Sequence, residues 1–331
     1  MTTAEPTDEK STGKAVTPPR SAWRHFFSVQ NLGIVYVFVA LCIFLAIASP
    51  AFLRPLNLIN VIRQASVVGI LAIGMTFLLA TGQFDLSVGA QAGFTGVVIL
   101  LLIPLIGLIP ALIAPFVVGA IIGLFTGVVV TKVGVNSLVT TLGTLAILKG
   151  ALLVFTDGRI IQGQTPALRW FADGMIGPLP VPVVVFLGLG VVGEFLLNAT
   201  RYGRHLSAVG GNKEASLLAG LRVDALLISN FILMSTFAAI AGIILLGRVY
   251  SANPLGGIGM EFTAITAAVL GGTSVFGGEG SVWKTVVAVL LLQVLGNGFN
   301  ILNVNAYFQN LIQGTIMIAA VALYTYRLRK A

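Results

Sequence analysis

The chain has 331 residues, 57% of them hydrophobic and 9% charged, and a mean hydropathy of +1.00 leaves too little polar surface to cover a globule in water. A water-soluble enzyme is excluded, and the solvent for the apolar excess is a lipid bilayer. The formal net charge of +8 raises nucleic acid as a partner, but charges this sparse act mainly through where they sit. The single Cys42 lies inside the first apolar run, so no disulfide framework is possible, and His25 and His205 stand far apart, leaving an N/S-ligated metal centre without a ligand set.

Residues 1–24 mix Thr, Ser, Pro and both charge signs with hardly any large apolar side chain, the composition of a disordered cytoplasmic tail. Residues 25–331 form the membrane domain. Its apolar runs fall at 32–49, 65–80, 86–106, 111–131, 138–156, 181–197, 225–246, 262–275, 282–302 and 306–324, most of them near the roughly 17–25 residues that cross a bilayer as a helix. Ala46 and Ala48 have the spacing of a signal-peptidase site, but the apolar run starts late and many more follow, so 32–49 reads as an uncleaved first span. Unpaired backbone groups are too costly in hydrocarbon for anything but helices or a closed barrel, and the runs lack barrel alternation. The predicted fold is an all-α polytopic bundle of about ten transmembrane helices.

Charge orients the bundle. With the tail inside, 13 Lys and Arg fall on the cytoplasmic side, among them Lys132, Arg201, Arg204, Lys213, Arg222, Lys284 and the C-terminal Arg327, Arg329 and Lys330. Five fall outside, Arg54, Arg63, Arg159, Arg169 and Arg248, and Lys149 lies within a span. Both termini are therefore expected in the cytoplasm, and the positive charge is a topology signal rather than a nucleic-acid footprint. Two external stretches, 51–64 with Pro55, Asn57, Asn60 and Arg63, and 157–180 with Trp170 and Phe171, read as short amphipathic helices at the outer interface.

Asp85 follows Gly82 and precedes Ser87 between two apolar runs, an arrangement that suits a helix break followed by an N-cap. A carboxylate at membrane depth also persists chiefly beside a partner or water, so the same residues are candidates to line a solute path. The longest internal stretch, 198–224, breaks at Gly210, Gly211 and Asn212, and a short helix over 213–221 then presents Lys213 and Glu214 to the cytoplasm. Five glycines between Gly271 and Gly280 allow positive φ and close backbone approach. That loop is no phosphate-binding loop, because Trp283 stands where G-x-x-x-x-G-K-[ST] requires its second glycine and no strand precedes it. The chain is thus expected to bind no ATP of its own.

Asn230, Asn297, Asn300, Asn305, Gln309 and Gln313, with Asn136 and Thr140, offer amides and a hydroxyl inside or at the ends of spans. They suit a neutral polyhydroxylated solute, which needs donors and acceptors but no countercharge, and equally suit hydrogen bonds between helices. The glycine-rich breaks at 82–89 and 271–280 are each followed by an Asn at a helix start, Asn136 and Asn305, which suggests two loosely related halves of five spans.

Glu214-Ala215 with Gly220 resembles the cytoplasmic coupling loop of ABC importer permeases. Together with GQFDLSVGA (Gly82 to Ala90), GRHLSAVGGN (Gly203 to Asn212), GGTSVFGGEGS (Gly271 to Ser281) and NGFNILNV (Asn297 to Val304), in that order, the chain resembles the monosaccharide permeases of binding-protein-dependent systems, such as those for ribose, xylose and galactose, over about 57–320. Where that family most often has Gly-Gly-Ile before the Asp, this chain has Gly82-Gln83-Phe84, which puts the exact ligand in question. The resemblance implies a bacterial inner-membrane subunit that works with an ABC ATPase, a periplasmic or lipid-anchored solute-binding protein and a second permease copy or paralogue. It implies ATPase coupling through Gly210, Gly211, Asn212, Lys213, Glu214 and Gly220. The expected path for a small neutral sugar comprises Asp85, Ser87, Asn136, Asn297, Asn300, Asn305 and Gln309, with no cofactor because ATP belongs to the partner subunits. The rivals are an ion-coupled secondary transporter, for which Asp85, Glu194 and Glu261 are the candidate carboxylates, and a branched-chain amino-acid permease.

Overall fold

A computed structural model describes residues 29–330, with residues 29–32, 306, 310, 313, 320 and 323–330 described by their backbone alone; the expected tail at 1–24 and His25 lie outside the described residues. The first half is built from α1 (Val29–Ala48), α2 (Pro55–Ala80), α3 (Val88–Ile106), α4 (Leu108–Val128) with a π-helical end (Val129–Val133), and α5 (Ser137–Thr156). A 3-10 turn (Pro166–Arg169) and the one-turn α6 (Trp170–Asp173) lead to α7 (Val181–Ala199), α8 (Arg201–Gly211) and α9 (Lys213–Leu218). The chain ends with α10 (Val223–Val249), α11 (Met260–Leu270), α12 (Val282–Ile301) and α13 (Ala306–Lys330).

Each apolar run expected from the sequence overlaps one of these helices. Seven of the described helices are long and apolar enough to cross a membrane: α2, α3, α4 with its π-helical end, α5, α7, α10 and α12. The chain is a multi-pass helical membrane protein. Two expectations need correcting. The sequence predicts an interfacial helix over 51–64, yet α2 starts at Pro55, whose ring suits the first turn, and runs on unbroken for 26 residues. The predicted span 262–275 is a helix of only 11 residues, rising about 16 Å against a hydrocarbon core of about 30 Å. Its last residue is followed by Gly271 and Gly272, and the preceding segment packs Gly256 and Gly257 so closely on α3 that a Cβ at Gly93 or Gly89 would strike their carbonyls.

α2 is the central post. Every residue from Ala65 to Ala80 is buried, and the helix touches α7, α8, α10, α11 and α12. Lipid tails supply no hydrophobic drive between helices, so such a post is held by close packing and interhelical hydrogen bonds. Gly69 lets the Phe186 ring of α7 lie directly on the α2 backbone. Thr76 of α2 and Thr285 of α12 share a hydroxyl contact at 2.9 Å.

The two ends of the bundle are stitched separately. At one end Lys132 pairs with Asp224 at 2.6 Å, and the Phe84 amide donates to Ser137 Oγ at 3.3 Å. At the other, Arg63 pairs with Asp173 at 3.5 Å and β1 (Ile161–Gln162) runs antiparallel to β4 (Ser251–Ala252); a separate short ladder joins β2 (Met175–Ile176) to β3 (Leu179–Pro180). There the guanidinium of Arg169 sits 4.4 Å above the Tyr250 ring. The amphipathic helix expected within 157–180 amounts to the 3-10 turn and α6, with Trp170 about half exposed and Phe171 packed inward.

A leucine placed at Gly69 would have to displace the Phe186 ring, whereas Gly150 on α5 has nothing within 4 Å of its missing Cβ. Gly69→Leu is expected to cost at least about 1–3 kcal/mol and Gly150→Leu close to nothing, read as thermal unfolding midpoints of the detergent-purified protein.

Candidate functional site

Residues 200–224 fold into two short helices that project from one end of the bundle. Thr200 Oγ1 accepts from the Gly203 amide at 3.3 Å and starts α8. Asn212 closes α8, its amide donating to Ala208 at 3.0 Å, and opens α9, its Oδ1 accepting from Ala215 at 2.9 Å. The expected break therefore sits at Asn212 alone, because α8 continues through Gly210 and Gly211. Lys213 and Glu214 are exposed on the first turn of α9, where a carboxylate complements the helix dipole. Gly220, at φ +81°, turns the chain back toward α10. Leu217 and Leu218 are 52% and 90% exposed, and nothing in the sequence pattern singled them out.

The C-terminal end of α8, just before Asn212, is seated on the bundle through backbone contacts. The Gly278 amide donates to the Ala80 carbonyl, the last of α2, at 2.9 Å. A Cβ at Gly210 would strike both of those backbone groups, and one at Gly277 would strike the backbone of Gly210. Gly277 and Gly278 also hold φ of +91° and +89°, which L side chains rarely adopt. The glycine-rich loop between α11 and α12 and the Gly210 region, separate motifs in the sequence, thus form one junction on the end of α2.

Asp85 lies just beyond that junction and is 1% exposed. The predicted N-cap is displaced by two residues, since Ser87 occupies the cap position of α3. Asp85 Oδ1 instead accepts from the Ser87 amide at 2.8 Å and from Ser87 Oγ at 2.5 Å. Gln91, which sequence reasoning passed over, donates its Nε2 to Asp85 Oδ2 at 3.3 Å and to Ser87 Oγ at 2.8 Å. Its own Oε1 is buried without a hydrogen-bond partner among the described residues. The other two acidic candidates serve helix starts: both oxygens of Glu261 accept from the Gly259 amide at 3.0 Å before α11. Glu194 accepts from the Trp283 amide at 3.0 Å in the first turn of α12.

The remaining path candidates do not converge. Asn136 caps α5 through the Leu138 amide at 2.8 Å, and Asn305 does the same for α13 through Tyr307 at 2.9 Å. Asn297 exchanges two amide hydrogen bonds with Asn57 of α2, at 3.0 and 2.8 Å. Asn230 is fully buried and donates to the Phe77 carbonyl of α2 at 2.9 Å. Gln309 Nε2 donates to Asn300 Oδ1 at 3.0 Å, so those two do meet, on the opposite end of the bundle from Asp85. Thr140 Oγ1 bonds back to the Asn136 carbonyl at 3.0 Å, and the Gln313 side chain lies outside the described residues. Among the described residues no group of three or more His, Cys, Asp or Glu gathers to hold a metal.

Residues 57–321 match the family described as the branched-chain amino acid transport system / permease component. The chain belongs to this permease family. Curated relatives extend the match over nearly the whole permease: the ribose import permease protein of Bacillus subtilis (strain 168) is 36% identical over 310 residues, 90% of this chain and 94% of that protein. The D-allose transport system permease protein of Escherichia coli (strain K12) is 35% identical over 288 residues, 86% of this chain and 88% of its own. The L-arabinose transport system permease protein of the same organism is 34% identical over 316 residues, 93% and 94% respectively. No solved structure matches the permease.

Local signals explain what the sequence found here and what it missed. Asn136 and Asn212 are legible caps because the bond spans two or three residues, whereas Gln91 is chosen only by the fold of the 81–87 turn. The Asp85 network separates two substitutions. Asp85→Asn keeps an oxygen for the Ser87 amide and hydroxyl and gives up only the longer bond from Gln91 Nε2, so the expected cost is about 1 kcal/mol. Asp85→Ala strands the Ser87 amide and Gln91 Nε2, at about 1–3 kcal/mol for each. Equal unfolding midpoints for the two variants would refute the assignment.

Proposed function

We propose that this permease imports a monosaccharide or small polyol across the bacterial cytoplasmic membrane, driven by separate ATPase subunits and fed by an external solute-binding protein. The similarity to ribose, allose and arabinose permeases over about nine-tenths of the chain supports a sugar cargo over the branched-chain amino acids that the family description names. A neutral cargo also agrees with a chain that is only 9% charged. The permease works as a pair with a second copy or close paralogue, and brings no ATP site or cofactor of its own. Alternating access moves the spans around a path to which Asp85 and Ser87 contribute at one end and Asn300, Asn305 and Gln309 at the other. In this reading Asn136 and Asn297 stand beside that path, Asn136 with its oxygen capping α5 and Asn297 with its amide engaged by Asn57.

About ten crossings in two halves of five, the eighth made by residues 250–281 with the half-length α11 as its helical part, put both termini in the cytoplasm. What supports this orientation is that Lys132, Arg201, Arg204, Lys213, Arg222 and Lys284 gather at the end that carries the Ala80 junction, and Arg54, Arg63, Arg159, Arg169 and Arg248 at the other. The observation that carries ATPase coupling is the exposed apolar tip of α9. A leucine 90% exposed, one turn after Glu214 on a six-residue helix at the cytoplasmic end and outside the hydrophobic core, fits a groove on a partner. Asn212, Lys213 and Gly220 shape and present that tip, Gly210 seats it on the end of α2, and Gly211 only continues α8 between them, with room for a side chain. The secondary-transporter alternative is weakened because Glu194 and Glu261 are both engaged by backbone amides at helix starts.

Vesicles reconstituted with permease, ATPase and binding protein are expected to take up sugar only with ATP and to continue in the presence of an uncoupler. Uptake that collapses with the proton gradient at constant ATP would overturn the proposal. Burying one leucine is worth about 1.5–3 kcal/mol, so Leu218→Asp should weaken ATPase binding about tenfold or more, and Glu214→Ala should weaken it less, with membrane insertion intact in both. Normal copurification of the ATPase with Leu218→Asp would remove α9 as the docking site.

A further inference from the structure

A second feature lies at the other side of the bundle, where α11, α12 and α13 enclose an open cleft of about 220 Å³, room for about seven waters at liquid density. Three of its lining groups suit a sugar in combination: the amide of Gln293, the amide of Gln309 and the ring of Phe299. We propose that this cleft is the monosaccharide subsite of the path, with Gln293 its central hydrogen-bonding residue; the inference rests on the sugar-import reading above.

Depth is the first argument. Gln293 stands 11 residues after Val282 on the 20-residue α12, about 16 Å along a helix about 30 Å long, and so near the middle of the span. α11 is the half-length helix whose first turns begin at the same depth, and Thr263, one residue into its second turn, lines the cleft. Discontinuous helices with their ends at mid-membrane are a recurring way to build solute sites there.

Chemistry is the second. Gln293 lies between the buried Leu292 and Val294 and is itself only half-buried, and among the described residues its amide has no hydrogen-bond partner. An amide at that depth costs free energy unless water or a ligand reaches it. Four residues on, Asn297 shows the alternative use, its amide fully engaged with Asn57. Gln309 is oriented by donating its Nε2 to Asn300 Oδ1 and to the Val304 carbonyl, both at 3.0 Å, which leaves its Oε1 to accept from a solute. Among the described residues, one amide without a partner and one remaining acceptor match the mixed donors and acceptors of sugar hydroxyls. Phe299 offers an apolar face to the C–H side of the ring.

The test uses vesicles holding permease, ATPase and binding protein, with D-ribose, D-allose and L-arabinose as probes and uptake and ATP hydrolysis read together. Gln293→Leu is expected to lower the sugar moved per ATP about tenfold while hydrolysis and insertion stay at the level of the unsubstituted protein, and Gln293→Asn to fall between. An unchanged ratio for Gln293→Leu overturns the subsite. In a Cys42→Ala background, the thiol introduced by Gln293→Cys should react with a small water-soluble thiosulfonate and be slowed by the transported sugar but not by leucine. Absence of labelling, or labelling indifferent to sugar, overturns it even if Gln293→Leu fails to fold. Failure of the importer reading itself is distinguishable, because it shows in the unsubstituted protein as uptake that needs no ATP.

Discussion

The carbonyl of Ala80 is the group on which the architecture turns. A helix leaves its last carbonyls without intrahelical partners, and one buried unpaired costs about 1–3 kcal/mol. Ala80 ends the most deeply buried of the described spans, and its carbonyl is answered by the Gly278 amide at 2.9 Å. The approach is possible because Gly210, Gly277 and Gly278 present no side chain at the point where three backbones meet. Asn230 adds a second restraint one turn earlier, through Phe77. The end of α2 is thus fixed by α8, by the loop between α11 and α12, and by α10.

That arrangement gives the proposed coupling a physical route. α8 reaches the junction at Gly210, and α9 follows immediately with Leu218 turned outward. A partner that moves α9 acts through one residue, Asn212, on a helix end already seated against α2. The same glycine loop leads back along α11, whose far end carries Thr263 on the wall of the proposed cleft. Rigid backbone contact rather than a chain of flexible side chains connects the exposed tip to the interior.

Much of this was legible in the sequence, and the reasons for the rest are specific. Runs of apolar residues locate the helices because an unsatisfied backbone cannot face lipid. They do not reveal helix length where the run continues past a break, so 262–275 reads as a span although α11 stops at Leu270. Nor do they show which helix is shielded from lipid: α2 is interior because Gly69 and Gly74 admit close neighbours, a property of contacts. Polar residues divide in the same way. Asn136, Asn212 and Asn305 act over two or three residues and are readable as caps, whereas Asn297 meets Asn57 across 240 positions. Gln293 has no local signature at all, and only the geometry of three helices sets it apart from the amides around it.

The most direct test compares two adjacent glycines. A Cβ at Gly210 strikes the Ala80–Gly278 contact, while one at Gly211 meets nothing within 4 Å. In vesicles with ATPase and binding protein, Gly210→Ala is expected to lose ATP-driven sugar uptake about tenfold or more, the consequence of a local clash of about 1–3 kcal/mol, with the ATPase still bound. Gly211→Ala is expected to transport normally. Equal transport by the two variants would contradict the account.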